Sequence, residues 1–143
     1  MRVERIVTTD TPLDRVYAYL SDFTNTTEWD PGTVRTEKIS GDGGVGTAYR
    51  NISKFLGRET ELTYTVVERV EGKVIALQGV NKTVKAKDTM TFAPAGAGGT
   101  QVTYAADFEF SGIAKFLAPI LRPALDRLGD EARDGMAKAL AAL

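Results

Sequence analysis

The side chains missing from this sequence limit its chemistry as much as those present. It has no histidine and no cysteine. That excludes Ser-His-Asp and Cys-His nucleophile systems, imidazole proton shuttles, and zinc held by His or Cys. Acid–base chemistry must therefore fall to Asp, Glu, Tyr, Lys or Arg. Ser111 has no imidazole to activate it, and no carboxylate spacing matches a calcium loop. The run Gly41-Asp42-Gly43-Gly44-Val45-Gly46 invites a phosphate-loop reading, but it lacks Gly-Lys-Ser/Thr and joins two strands. It reads as a hairpin turn, and neither a metal nor a cofactor is expected.

Asp88 is the leading ionisable candidate. It lies in phase with Val84, Ala86, Met90 and Phe92, so strict alternation points it inward. A buried carboxylate must be paired, hydrogen-bonded or neutral, and inside a pocket it is a candidate proton donor or anchor. A β-bulge or a strand-end position would turn it outward instead. Arg50 is the second candidate, because an inward guanidinium would present a fork of donors to an anionic or enolate oxygen. Alternation leaves open whether Tyr49, Asn51 and Phe55 or Arg50, Ile52 and Leu56 face inward. Tyr64, Gln78 and Tyr104 could supply polar tips to an otherwise apolar pocket, or be core residues whose polar ends reach the rim. Trp29 would line or plug one end.

The elements that must hold these residues follow from periodicity. A first strand is predicted at 2–9, then a cap at Asp10-Thr11 with Pro12 opening a short helix, and a second short helix at 26–29. Strands follow at 33–40, 47–55, 59–70, 73–80, 83–93 and 100–110, separated by glycine-rich or Asn-containing turns. Turns at such short intervals imply an antiparallel meander. Val102, Tyr104, Ala106, Phe108 and Phe110 share one face of the last strand, so one sheet face is apolar.

Residues 112–143 form the one long stretch with helical period, roughly 45 Å if fully helical. At 100° per residue Ile113, Leu117, Ile120, Leu121, Ala124 and Leu128 fall on one side. Pro119 and Pro123 are expected to kink or split its start. Ala132, Met136, Ala139 and Leu143 lie about 80° round from the first stripe, so the helix divides in two. The segment 113–128 is expected to wall a cavity, and the remainder to pack elsewhere on the sheet or on a partner.

One domain over 1–143 accommodates all this. Eighteen basic and nineteen acidic residues give a net charge of −1, and no basic-aromatic cluster supports nucleic-acid binding. No run is long enough to span a membrane. The N-terminus lacks an apolar signal core, so a cytoplasmic location is the default expectation.

Several separated stretches resemble one superfamily in the right order: Thr11-Pro12-Leu13-Asp14-Arg15-Val16-Tyr17-Ala18-Tyr19-Leu20-Ser21-Asp22-Phe23 with Trp29-Asp30-Pro31, Gly44-Val45-Gly46-Thr47-Ala48-Tyr49-Arg50, Val66-Val67-Glu68, Gly99-Thr100-Gln101-Val102-Thr103-Tyr104, and the closing helix. Over essentially its whole length the chain resembles the helix-grip (START-like, Bet v 1-like, SRPBCC) superfamily, and within it the bacterial polyketide cyclase/dehydrase-like proteins. The resemblance implies an α+β fold in which a seven-stranded antiparallel sheet wraps the C-terminal helix, with two short helices between strands one and two. It also implies a cavity for a small, mostly apolar ligand or polyketide-like substrate. The expected lining is Trp29, Tyr49, Tyr64, Gln78, Met90, Tyr104 and Phe108 from the body, with Phe116, Leu117, Ile120, Leu121 and Ala124 from the helix. Asp88 and Arg50 are the candidate catalytic groups for cyclase or dehydratase chemistry. The same scaffold also suits a lipid or quinone carrier, or an interaction module, perhaps a homodimer, with a filled core.

Overall fold

Alternation of apolar and polar residues gives the chain its strands, and the order of those strands gives it a concave sheet. The computed structural model describes all 143 residues. β1 (Arg2–Thr9) is followed by α1 (Leu13–Ser21), a 3-10 turn (Phe23–Asn25) and α2 (Thr26–Trp29). Next come β2 (Thr33–Ser40), β3 (Ala48–Phe55), β4 (Arg58–Val70), β5 (Val74–Val80), β6 (Val84–Ala95) and β7 (Gly99–Phe110), and the chain closes with α3 (Ala114–Ala141). The strands form one sheet in the order β1-β7-β6-β5-β4-β3-β2, with every pairing antiparallel. This is the expected α+β helix-grip architecture.

Register decides which side chains face α3. Directly paired residues share a face, so Tyr49 opposite Tyr64, Tyr64 opposite Gly79, Gly79 opposite Ala86 and Ala86 opposite Phe108 form one inward row. The neighbouring row carries Leu77, Asp88 and Ala106. A register shift between Val66 and Glu68 adds a residue to β4, bending that strand as a bulge does. Past it Arg69 turns inward, and its guanidinium sits 5.5 Å over the Tyr17 ring.

α3 is clasped mainly by β1. Arg5 donates from Nε to Asp130 at 2.8 Å and from a terminal nitrogen to the Asp126 carbonyl at 3.1 Å. Thr11 donates to the Leu140 carbonyl at 2.7 Å, beside the longer 3.3 Å bond that this carbonyl accepts from the Leu143 amide at the helix end. Gly135 allows α2 to approach, since a Cβ there would run into the Trp29 carbonyl oxygen. The buried stripe is Leu125, Gly129, Ala132, Met136 and Leu140.

Two expectations about this helix are corrected. It runs unbroken through Pro119 and Pro123. Both prolines are exposed, so water can serve the carbonyls that lose their amide partners. The large apolar residues of its first turns do not pack inward either. Ile113, Phe116 and Ile120 are each more than 70% exposed, because the sheet grips the helix further along, from Leu125 onward.

Candidate functional site

A cavity of about 260 Å³ lies between the sheet and α3. Its buried walls come from Phe23, Trp29, Leu62, Tyr64, Ala86 and Leu125, and Leu121 and Leu128 close the helix side. Its exposed lining residues, Lys54 and Thr83, sit at the β3–β4 and β5–β6 ends, which places the mouth beside the start of α3.

Asp88 projects into this space. The β5–β6 and β6–β7 registers run without a break across it, so no bulge turns it away, and it is 7% exposed. The Tyr104 hydroxyl donates to its Oδ2 at 3.3 Å, while Oδ1 has no protein partner. Burial in an apolar wall, with Asp30 nearby and only partly offset by the Tyr104 bond, pushes the Asp88 carboxyl up to about 7. A carboxyl so placed exchanges its proton near neutral pH.

Tyr64 approaches from the side. Its ring lies over Gly79, where an added Cβ would come within 2.6 Å of Cε1. With no side chain at Gly79, the ring lies across β5 toward β6, the strand of Asp88. The Tyr64 hydroxyl makes no hydrogen bond within the protein. Burial, reinforced by Asp88 and Asp30, holds the Tyr64 and Tyr104 hydroxyls well above their ordinary values, so both remain protonated donors. Trp29 Nε1 is buried without a partner.

Asp30, also in the lining, accepts from the Gly32 amide and the Thr33 hydroxyl, both at 3.0 Å. Burial raises its carboxyl more than those bonds lower it. The opposite wall carries a buried chain in which Asn51 donates to Thr36, Thr36 pairs with Thr26, and Thr26 donates to the Phe23 carbonyl. Sequence reading met Asp30 only within the Trp29-Asp30-Pro31 stretch and left Asn51 undecided. The signal available for Asp30 was a carboxylate beside the lining Trp29.

The expected site residues are only partly brought together. Trp29, Tyr64, Asp88, Tyr104, Phe108 and Leu121 line the cavity. Arg50 does not: Tyr49 and Asn51 are the inward residues of β3, and Arg50 points outward to Glu37 at 2.9 Å. Gln78 lies opposite Thr65 and Lys87 on the outer face. Tyr49 and Met90 are buried in the core beyond the cavity. Phe116, Leu117 and Ile120 are exposed, and Ala124 faces a shallow groove beside Lys54, Phe55 and Leu56. No group of three or more acidic residues could hold a metal ion.

Comparison with known proteins fits this geometry. The sequence family described as polyketide cyclase / dehydrase and lipid transport matches residues 1–141. The chain belongs to this family. Similar folds among solved structures include the Zhui aromatase/cyclase from Streptomyces sp. R1128, with a TM-score of 0.83 and 17% identity over 98% of this chain and 93% of that one. A START superfamily protein from Mycobacterium smegmatis gives 0.75 and 18% over 99% and 94%. Truncated norcoclaurine synthase from Thalictrum flavum gives 0.73 and 17% over 98% and 92%. At these identities the likeness concerns the fold. No curated protein matches the sequence significantly. The cavity of this polyketide cyclase/dehydrase family member has no histidine, and its lining carries two carboxyls, Asp30 and Asp88, and two phenols, Tyr64 and Tyr104. No helix is long and apolar enough to cross a membrane.

Proposed function

We propose that this protein binds a small, mostly apolar ketone in the cavity and promotes its enolisation, the step from which cyclisation and dehydration of a poly-keto chain proceed. Asp88 carries the reading: a nine-tenths buried carboxyl with one unpartnered oxygen in a cavity lined mainly by apolar residues. Its Oδ1 takes the proton α to a ligand carbonyl, while the Tyr64 hydroxyl donates to the carbonyl oxygen that gains negative charge. Tyr104 holds Oδ2 and so orients the base. The resulting enolate carbon bonds to a second carbonyl of the same folded chain, whose oxygen takes the proton that Asp88 had removed. Asp88 then removes the second α-proton and returns it to the departing hydroxyl, which leaves as water as the carbon–carbon double bond forms. The apolar walls contribute by holding the chain folded, so that the reacting carbons meet.

Deuterium exchange at the α-carbon of α-tetralone, followed by NMR, tests this directly. Wild type is expected to accelerate exchange over buffer, with the rate rising through about pH 7 as Asp88 ionises. Asp88→Asn should fall to the buffer rate while remaining folded. A wild-type rate equal to buffer, or an Asp88→Asn rate equal to wild type, would sink the proposal. Denaturing extraction and mass spectrometry of freshly purified protein address the carrier alternative, which predicts a stoichiometric lipid-like species.

A further inference from the structure

The end of the molecule that holds the cavity mouth carries an unusual surface. Three chain segments meet the mouth: the β3–β4 tip at 54–58, the β5–β6 turn at 81–83, and the β7–α3 connection with the first turns of α3 at 111–121. Together they contain Lys54, Arg58, Lys82 and Lys115 and no acidic residue, with Glu59 next to Arg58 and opposite Lys54, in a chain whose net charge is −1. All four cations are exposed, and none takes part in an ion pair. Eight arginines elsewhere are paired with carboxylates and six further cations elsewhere are also free, so what marks this end is the grouping of four free cations around one opening. The N-terminus of α3 has no side-chain cap and no acidic residue in its first turn, which adds the helix's partial positive charge there.

The same end is apolar. Ile113, Phe116, Leu117 and Ile120 follow helical spacing on the outer side of α3 and are 81%, 80%, 45% and 73% exposed. Leu56 is 66% exposed at the β3–β4 tip, where it adopts a φ of 52°. That left-handed backbone suits Gly or Asn far better than leucine. A leucine held there without burial gains nothing inside the fold. Scattered exposed apolar residues are ordinary, but a contiguous set around an entrance marks an interaction surface.

We propose that this end docks onto the surface of an anionic phospholipid membrane, so that an apolar ligand passes between bilayer and cavity without crossing water. Phe116, Ile113, Ile120 and Leu56 enter the headgroup–acyl boundary, and Lys54, Arg58, Lys82 and Lys115 meet the phosphates. This pairing of an apolar stripe with basic residues is how interfacial helices bind. The charge selects this occupant. A second copy of the same surface would bring eight cations together against two Glu59 carboxylates, whereas an anionic bilayer neutralises them. The cavity side of α3, through Ala114 and Leu121, is continuous with the docking side, so the mouth would open against the lipid. The inference is independent of the chemistry at Asp88.

Flotation of the full chain with vesicles provides the test, using phosphatidylcholine alone and phosphatidylcholine with added phosphatidylglycerol. Wild type should float with the anionic vesicles, and added salt should weaken the association. Reversing three charges (Lys54→Glu, Lys82→Glu, Lys115→Glu) should weaken it by roughly 100-fold or more, from the worth of basic residues near an anionic surface. Phe116→Ser with Ile120→Ser should abolish it. These side chains are exposed, so unchanged thermal melts will show that the variants fold. Asp88→Asn should float as wild type does, which separates docking from catalysis. Wild type that stays with buffer at low salt overturns the proposal. So does undiminished binding by either variant, or a soluble dimer that Phe116→Ser dissociates in the absence of vesicle binding.

Discussion

Burying Asp88 has a consequence for stability whose sign can be worked out. Its carboxyl is raised from an ordinary 3.8 to about 7, so between those values the folded chain binds protons that the unfolded chain has released. Stability must then fall as pH rises across that window and be unaffected by this group below it. Asp30 tilts the same way. Asp88→Asn keeps an acceptor for Tyr104 and removes the charge. It should therefore melt close to wild type at about pH 4 and be more stable at about pH 8, by up to about 4 kcal/mol at 1.36 kcal/mol per pKa unit. Thermal melts across that range check it, and a gap that shrinks with rising pH would contradict the burial of Asp88. Gly79 makes a second prediction at this scale. Gly79→Ala places a Cβ against the Tyr64 ring, which should cost about 1–3 kcal/mol as overpacking. It should also lower ketone exchange by displacing the hydroxyl, and Tyr64→Phe should reproduce the lost exchange without the lost stability.

At the scale of elements, α3 separates hydropathy from burial. Its most apolar stretch, Ile113 to Ile120, lies on the surface, and the buried stripe instead runs Leu125, Gly129, Ala132, Met136, Leu140. That stripe uses small residues because β1 and α2 lie close to it: a Cβ at Gly129 would strike Val3. Small residues contribute little to a hydropathy pattern. Ile113, Leu117 and Ile120 were therefore expected on the cavity wall but are exposed, whereas Ala132 and Met136, expected to pack on the sheet or a partner, belong to the buried stripe. The prolines misled for a related reason, since their cost depends on whether water reaches the carbonyls they orphan. Met136 is fully buried and Phe116 is 80% exposed. Met136→Ala should cost about 2–5 kcal/mol, while Phe116→Ala should stay within about 0.5 kcal/mol. Urea unfolding of the two variants measures both, and comparable losses would show that the first turns of α3 pack against the protein.

For the whole molecule, the strands and their antiparallel order were legible because each carries a two-residue period bounded by turns. Orientation was legible only where one face is distinctly apolar. β7 and β6 have such a face, which is why an inward Asp88 and Tyr104 stood among the sequence's alternatives, and the unbroken β5–β6 and β6–β7 registers decide for it. β3 mixes Tyr49, Arg50, Asn51 and Ile52, so its facing was set by β2 and β4, and the choice of Arg50 failed. In β5 nearly every residue is apolar, which hid the outward turn of Gln78. The cavity itself leaves no pattern in the sequence, because it is made of what side chains do not fill. Its cost can be bounded. At ~24 cal/mol per Å³, an unfilled space of about 260 Å³ amounts to at most about 6 kcal/mol, less where water occupies it. A fold retains such a void when function depends on it. Ala86 is buried on the cavity floor, and Ala86→Leu should fill part of the space. The variant is expected to melt at or above the wild-type temperature, yet bind the neutral naphthyl ketone dye prodan at least about tenfold more weakly, since lost cavity volume is lost ligand contact. Fluorescence titration beside a thermal melt reads both quantities. Prodan binding equal to wild type in a stabilised Ala86→Leu would mean that apolar ligands bind this protein somewhere other than between its sheet and its helix.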